Sequence, residues 1–144
     1  MAKTICTLLG AVLLLVGLLG FISPGGMSDM TGAHLTAVHN VVHLLSGAIA
    51  LYLGLKGTLA AARLFCLVFG AVYLLLGIVG YLTGGAHPLS AGIPGPPSDR
   101  LLRLLPGSLE LGSADHGIHI LLGIVFLIGG LLTKAHVDRV ADRA

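Results

Sequence analysis

The chain has 144 residues, of which 56% are hydrophobic and 10% are charged, and its formal net charge is +2. Water-soluble domains carry about 25% charged residues, so this composition excludes a soluble globular protein and requires lipid as the solvent. The small net charge provides no basic surface for nucleic acid, and no nucleic-acid partner is expected.

Four apolar stretches are long enough to cross a bilayer, which takes about 20 residues of helix. They are residues 4–22, 36–55, 63–83 and 115–134. In lipid the backbone polar groups must be satisfied within the segment, so each stretch is predicted to be an α-helix. The first could instead be a secretory signal peptide, because Lys3 precedes an apolar run, but it repeats the third stretch and is therefore interpreted as a membrane helix.

The chain contains an internal repeat. Residues 6–21 align without gaps on residues 66–81, and half of the aligned positions are identical. The segments 43–47 and 119–123 form a second similar pair. These similarities predict one transmembrane domain, 1–144, built from two parallel helical hairpins: repeat one covers 1–57 and repeat two covers 61–134.

The two loops on the outer side of the membrane differ in length. Residues 23–31 are predicted to form a short turn between the first two helices. Residues 84–113 form a longer insertion rich in Gly, Pro and Ser, which is unsuited to a further span. Within it, residues 98–106 are interpreted as a short amphipathic helix that begins at Ser98 or Asp99 and is stopped by Pro106.

Glycines recur seven residues apart in each predicted helix, which places the two members of each pair on one helix face. Small residues mark surfaces where membrane helices approach closely, so these glycines predict packing contacts in an all-α, left-handed four-helix bundle. The pairs are Gly10 with Gly17, Gly47 with Gly54, Gly70 with Gly77, and Gly123 with Gly130.

Lysine and arginine residues lie mostly on one side of the predicted membrane. Lys3, Lys56, Arg63 and Lys134 share a side with the C-terminal arginines, whereas Arg100 and Arg103 lie opposite. The positive-inside rule then predicts that both termini are cytoplasmic.

Polar residues open the second and fourth predicted helices. His39 and His43 are four residues apart, as are Asp115 and His119, so each pair shares a helix face. The simplest interpretation is structural: these side chains cap helix ends or form hydrogen bonds across the bundle.

A metal site is a second interpretation of the same residues, because imidazole and carboxylate groups suit zinc or another divalent first-row ion. The candidate metal ligands are His39, His43, Asp115, His116 and His119.

A tetrapyrrole, either haem or chlorophyll, is a third interpretation. His43 and His119 would bind it, since Gly47 and Gly123 one turn away would let a flat ring approach.

The remaining histidines and the cysteines are given structural interpretations. His34 and His87 in the outer loops and His136 in the C-terminal tail are expected to be solvated. Cys6 and Cys66 occupy equivalent positions near the cytoplasmic side and are interpreted as small buried apolar residues rather than as a disulfide.

The motif His-Asn-x-x-His-Leu-x-x-Gly at 39–47, its counterpart Asp-His-x-x-His-x-x-x-Gly at 115–123 and the run at 69–77 resemble an uncharacterised bacterial family. Its members are small four-helix integral membrane proteins, classed as a domain of unknown function. The resemblance implies the fold and a location in the bacterial inner membrane, and it implies no activity. This chain departs from the pattern at His116, where asparagine is expected.

The sequence carries no phosphate-binding loop, Cys-x-x-Cys pair or serine-hydrolase context, so an enzyme is not expected. The leading hypothesis is a non-enzymatic accessory or structural subunit that contacts the lipid bilayer and either other membrane subunits or a second copy of itself. The alternative is a cofactor-binding membrane protein that holds haem, chlorophyll or a metal ion through histidines of the second and fourth helices.

Overall fold

The structure is a computed structural model and describes residues 1–134. It contains five α-helices, α1 (Ala2–Ile22), α2 (Pro24–Thr31), α3 (Ala37–Leu55), α4 (Leu59–Thr83) and α5 (Ser113–Leu131), and two strands, β1 (Leu102–Leu105) and β2 (Leu109–Leu111). The helices α1, α3, α4 and α5 are long and apolar enough to cross a membrane. The prediction of a mostly helical membrane protein with four transmembrane helices is therefore confirmed, and the bundle arrangement and its left-handed twist stay predictions.

Each long helix packs mainly against one partner, α1 against α3 and α4 against α5, which gives two helical hairpins. Glycines let the paired backbones meet. A Cβ atom added at Gly10 would lie 2.5 Å from the backbone nitrogen of Leu51, and one added at Gly70 would lie 2.8 Å from that of Leu127. Such distances are shorter than carbon and nitrogen atoms tolerate, so a larger residue at either position would separate the hairpin.

The other glycines of the predicted packing pairs also face backbone or side-chain atoms of the partner helix, within 3.0 Å of a Cβ placed on them. These are Gly17, Gly47, Gly54, Gly77, Gly123 and Gly130. The same contacts occur in both hairpins: Gly17 meets the carbonyl of Asn40, and Gly77 meets the carbonyl of His116. Positions on α3 and α5 that differ by the repeat offset, such as Asn40 and His116, are thus structurally equivalent.

The two hairpins meet around a small apolar core. It contains Phe65, Tyr73 and Phe126, together with the cysteines Cys6 and Cys66 of α1 and α4. The two sulfur atoms lie 3.5 Å apart, and both residues are fully buried, as expected for small apolar side chains.

The segment between α1 and α3 contains the helix α2, so the prediction of a simple turn at residues 23–31 was wrong. α2 begins at Pro24, whose fixed φ suits the first position of a helix, and it ends at Gly32, which adopts a left-handed φ of 73°. The Pro and Gly residues that suggested a loop are therefore the start and stop signals of a helix of about two turns.

The prediction of an amphipathic helix at 98–106 was also wrong, because this segment contains the whole of β1, the first strand of a hairpin. β1 pairs with β2 in antiparallel fashion, with Arg103 opposite Glu110. Pro106 and Gly107 occupy the centre of the connecting turn, where Gly107 has a φ of 76° and the amide of Ser108 donates to the carbonyl of Leu105. Pro106 therefore starts a β-turn, as its preference for that position allows, rather than stopping a helix.

Candidate functional site

Three histidines from both hairpins meet at the end of the bundle where α3 and α5 begin. His39 and His43 lie one turn apart on α3, His119 lies on α5, and all three are buried. One nitrogen of each ring lies within 4.8 Å of the corresponding nitrogens of the other two. The centroid of the His39 ring lies 4.4 Å from that of His43 and 5.7 Å from that of His119.

The starts of the two helices place these rings. The Thr36 hydroxyl caps α3 by accepting from the amide of His39 at 3.2 Å, and it also donates to the Ser108 carbonyl at 2.6 Å. At the start of α5, the Asp115 carboxylate accepts from the amide of Gly112 at 2.8 Å. Both helices therefore begin at defined residues beside the β-hairpin, and the histidines follow within the first two turns.

The orientation of the His39 ring is fixed by a backbone contact. Its Nδ1 lies 3.0 Å from the carbonyl oxygen of His34. A carbonyl can only accept, so Nδ1 carries the proton, and Nε2 keeps its lone pair. A backbone carbonyl that holds the second ring nitrogen is the usual support for a metal-binding histidine.

His43 and His119, unlike His39, have no hydrogen bond at the Nδ1 atom among the described residues. Both of these Nδ1 atoms are buried. Leaving such a group unsatisfied costs about 1–3 kcal/mol. The ring of His119 is stacked on Tyr73, with centroids 5.3 Å apart, which holds it towards the other two histidines.

Asp115 lies beside the cluster, and its oxygens are occupied by other donors. It accepts from the amide of His34 at 3.1 Å and from the His34 Nδ1 at 2.8 Å, as well as from Gly112. Its nearer oxygen is 4.0 Å from the Nδ1 of His39. The structure thus places the predicted ligand Asp115 next to the histidines, with Oδ2 held by His34 and Gly112 and with Oδ1 nearer to His39.

His34 is the functional residue that the sequence interpretation missed. It was expected to be solvated, but it is only 1% exposed. Its Nε2 donates to the Pro96 carbonyl at 3.0 Å. Burial lowers the pKa of the His34 imidazole, but the hydrogen bonds to Asp115 and Pro96 outweigh it and raise that pKa above its ordinary value. Extending the repeat upstream would have aligned His34 with Glu110, which is also fully buried.

The predicted ligand His116 is held apart from the three histidines. Its Nε2 donates to the carbonyl of Arg100 at 2.7 Å, and its ring fills the space left by Gly80, where an added Cβ would lie 2.2 Å from ring atoms. The equivalent Asn40 lies against Gly20 and donates to the carbonyl of Leu35 at 3.3 Å. Both residues join a helix to the loop before it. His87 is exposed as expected, and His136 lies outside the described residues.

Two cavities touch the histidine cluster. One of about 90 Å³ is bordered by Asp115, Thr31 and Ile118, and the other, of about 130 Å³, by Phe69, Tyr73 and leucines of the β-hairpin. Pockets for drug-sized ligands usually measure about 300–1,000 Å³, so both cavities suit an ion or a very small molecule.

The geometry does not favour the tetrapyrrole interpretation. The cavities of about 90 and 130 Å³ at the cluster are smaller than the pockets that hold drug-sized ligands, so they leave no room for a macrocycle. Gly47 and Gly123 face the neighbouring helix, because a Cβ added to them would meet the backbone nitrogens of Leu14 and Leu74 at 2.8 and 2.5 Å. Helix packing therefore accounts for both glycines.

A family model described as a domain of unknown function (DUF4383) matches residues 3–132. Comparisons with curated proteins and with solved structures found no match.

Proposed function

The chain belongs to the DUF4383 family, whose function is not known, and within that family we propose that this membrane protein binds a first-row transition-metal ion through His39, His43 and His119. The observation that carries the proposal is the approach of three buried imidazoles, contributed by two different hairpins, to within 4.8 Å of one another. Imidazole nitrogen suits zinc, copper, iron and nickel.

The surroundings of the cluster favour a cation. Among the described residues, the Nδ1 atoms of two of the rings are buried without partners, and an ion bound through them would satisfy them. The Asp115 carboxylate lies close enough to offset part of the positive charge of the ion. This matters because a cavity lined mainly by apolar side chains would otherwise leave that charge uncompensated. Metal–nitrogen bonds of about 2.0–2.1 Å require the three nitrogens to move somewhat closer together, which side-chain rotation provides.

The sequence favoured a non-enzymatic accessory subunit, and the metal site is compatible with that role. A subunit function alone does not require three buried imidazoles, so the geometry supports the cofactor-binding alternative better.

We propose a location in the bacterial inner membrane with both termini cytoplasmic, on the resemblance and on the distribution of lysine and arginine. The histidine cluster would then lie near the outer surface.

Metal binding can be measured on the full chain in detergent or nanodiscs by titration with zinc or cobalt and elemental analysis. We expect one ion for each chain, and at least tenfold weaker binding in His43→Ala and His119→Ala, because each variant removes one of three ligands. His116→Asn is the matched control: it changes a buried histidine on the same helix that lies outside the cluster and restores the residue of the equivalent position.

Circular dichroism on each variant separates loss of the site from loss of the fold. The proposal is contradicted if the wild-type chain binds no ion, or if folded His43→Ala and His119→Ala retain wild-type affinity.

A further inference from the structure

The larger of the two cavities at the histidine cluster differs in chemistry from the smaller one. Both cavities are bordered by the three histidines, and the smaller is also bordered by Asp115 and Thr31. The larger, about 130 Å³, is bordered in addition by apolar side chains of α3 and α4 and by leucines of the β-hairpin. Its remaining polar side chain is Tyr73, whose hydroxyl lies 3.5 Å from the Ser46 hydroxyl.

A metal ion held by three imidazoles in this place would have an open coordination position. The carboxylate nearest to the cluster, Asp115, is held through Oδ2 by hydrogen bonds from His34 and Gly112, and its Oδ1 lies 4.0 Å from the Nδ1 of His39. Sites with three protein ligands keep a further position for water or for an exogenous ligand.

Water is poorly suited to the larger cavity. A buried water makes about three hydrogen bonds, and a site that holds one needs two to four polar partners. The lining offers the Tyr73 hydroxyl, which already has a neighbour in Ser46. A ligand without hydrogen-bonding requirements fits these walls better.

The rim of the cavity lies on the surface of the bundle that faces lipid. Val42 is 43% exposed and Val72 is 55% exposed, and both border the cavity. Each sits within a membrane-spanning helix, so a small uncharged molecule dissolved in the hydrocarbon phase can reach the rim without crossing an aqueous loop.

We propose that the metal ion bound by His39, His43 and His119 takes a small uncharged diatomic molecule as its further ligand, in the 130 Å³ cavity between α3, α4 and the β-hairpin. This inference rests on the proposed metal site. The apolar lining selects against charged ligands, and the volume excludes organic molecules of drug size.

Carbon monoxide bound to copper(I) is a suitable probe, because its stretching vibration reports coordination directly. The full chain, in nanodiscs under reducing conditions, is loaded with copper(I), its copper content is determined, and infrared spectra are recorded under carbon monoxide. We expect one band, with one carbon monoxide for each copper ion.

Two variants locate the ligand. Leu76→Phe enlarges a side chain that borders the 130 Å³ cavity and should weaken carbon monoxide binding at least tenfold without changing the copper content. Ile118→Phe makes a comparable change beside the 90 Å³ cavity and should leave the band as in the wild type.

The outcomes are distinct. If the wild type binds no copper, this inference fails, and if it binds no zinc or cobalt either, the proposed function fails with it. If copper binds in stoichiometric amount and no band appears, the metal site stands and the diatomic ligand is refuted. A wild-type carbon monoxide affinity in Leu76→Phe, or a band that is lost in Ile118→Phe, overturns the assignment to this cavity.

Discussion

Glu110 shows how a single buried carboxylate organises the outer segment. Its oxygens accept from the amide and hydroxyl of Ser90 and from the amide of Gly107. Arg103 on the opposite strand lies 3.7 Å away. These four interactions tie the β-hairpin to the segment before it, and the hairpin in turn borders the histidine cluster.

The stability of this segment should depend on acid pH. Burial raises the pKa of Glu110, but the hydrogen bonds from Gly107 and Ser90 and the charge of Arg103 outweigh it and lower that pKa below its ordinary value of 4.5. A lowered pKa means that the carboxylate contributes stability above pH 4.5 and loses it as the pH falls through the lowered value. The other titratable group that senses Glu110 is His34.

Hydrogen exchange of residues 101–111, followed from pH 7 to pH 3, tests this dependence. We expect protection to fall below about pH 4.5 in the wild type. Glu110→Gln should exchange faster at pH 7 and show a much weaker response to acid. Protection in the wild type that stays constant across this range would contradict the role assigned to the carboxylate.

At the scale of single residues, the sequence predicted part of the histidine cluster. The i, i+4 spacing identified His39 and His43, and the repeat identified His119. It could not separate these residues from His116, because adjacent positions on a helix point in different directions and only packing decides which one enters the core. It missed His34 and Glu110 because both precede their helices, where solvated loop residues are the usual expectation.

Within each hairpin, the glycine contacts decide how closely two helices approach. A Cβ at Gly10 would meet backbone atoms of Leu51, which have no alternative rotamer to adopt. Gly25 in α2 offers a control, since a Cβ there would meet nothing within 4 Å.

Gly10→Ala should therefore destabilise the protein by about 1–3 kcal/mol, as other overpacked cores do. Gly25→Ala should be neutral or slightly stabilising, because alanine favours the helix more than glycine does. Unfolding by SDS in mixed micelles, monitored by circular dichroism, measures both. A Gly10→Ala variant as stable as Gly25→Ala would argue against the close approach of α1 and α3.

The element boundaries show what hydropathy reveals and what it leaves out. Hydropathy located all four long helices because lipid imposes their length. Hydropathy started the third helix late, at residue 63, whereas α4 begins at Leu59 and is capped by Thr58, whose hydroxyl accepts from the amide of Ala61. Hydropathy did not identify α2 or the β-hairpin, which depend on Pro and Gly residues at their ends and turns. Such residues are compatible with a loop, a helix start or a β-turn.

Across the whole molecule, the two hairpins make their contacts at both ends of their interface. The histidines join them at one end, and the Cys6 and Cys66 sulfurs, 3.5 Å apart, join α1 to α4 near the other. A disulfide requires the sulfurs to close to about 2.05 Å, a small movement for two facing side chains.

Oxidation with iodine in membranes should therefore convert both thiols into one intramolecular disulfide, as each pair of thiols loses two protons and two electrons and iodine becomes iodide. Mass spectrometry of the intact chain should show the loss of two hydrogens. Cys6→Ser should retain a free thiol after the same treatment. Free thiols in oxidised wild type, or disulfide-linked dimers in place of the internal bond, would contradict the docking of the two hairpins.

His39 and Asp115 occupy equivalent positions, because the neighbouring pair Asn40 and His116 make matching contacts with Gly20 and Gly80. One hairpin thus supplies an imidazole to the cluster, and the other supplies, from the same position, the carboxylate that anchors His34. A homodimer of a single hairpin could not do this, since both copies would carry the same residue. When both hairpins are part of one chain, each position can mutate by itself. The packing glycines therefore follow the repeat in both hairpins, whereas His39 and Asp115 at the histidine cluster do not.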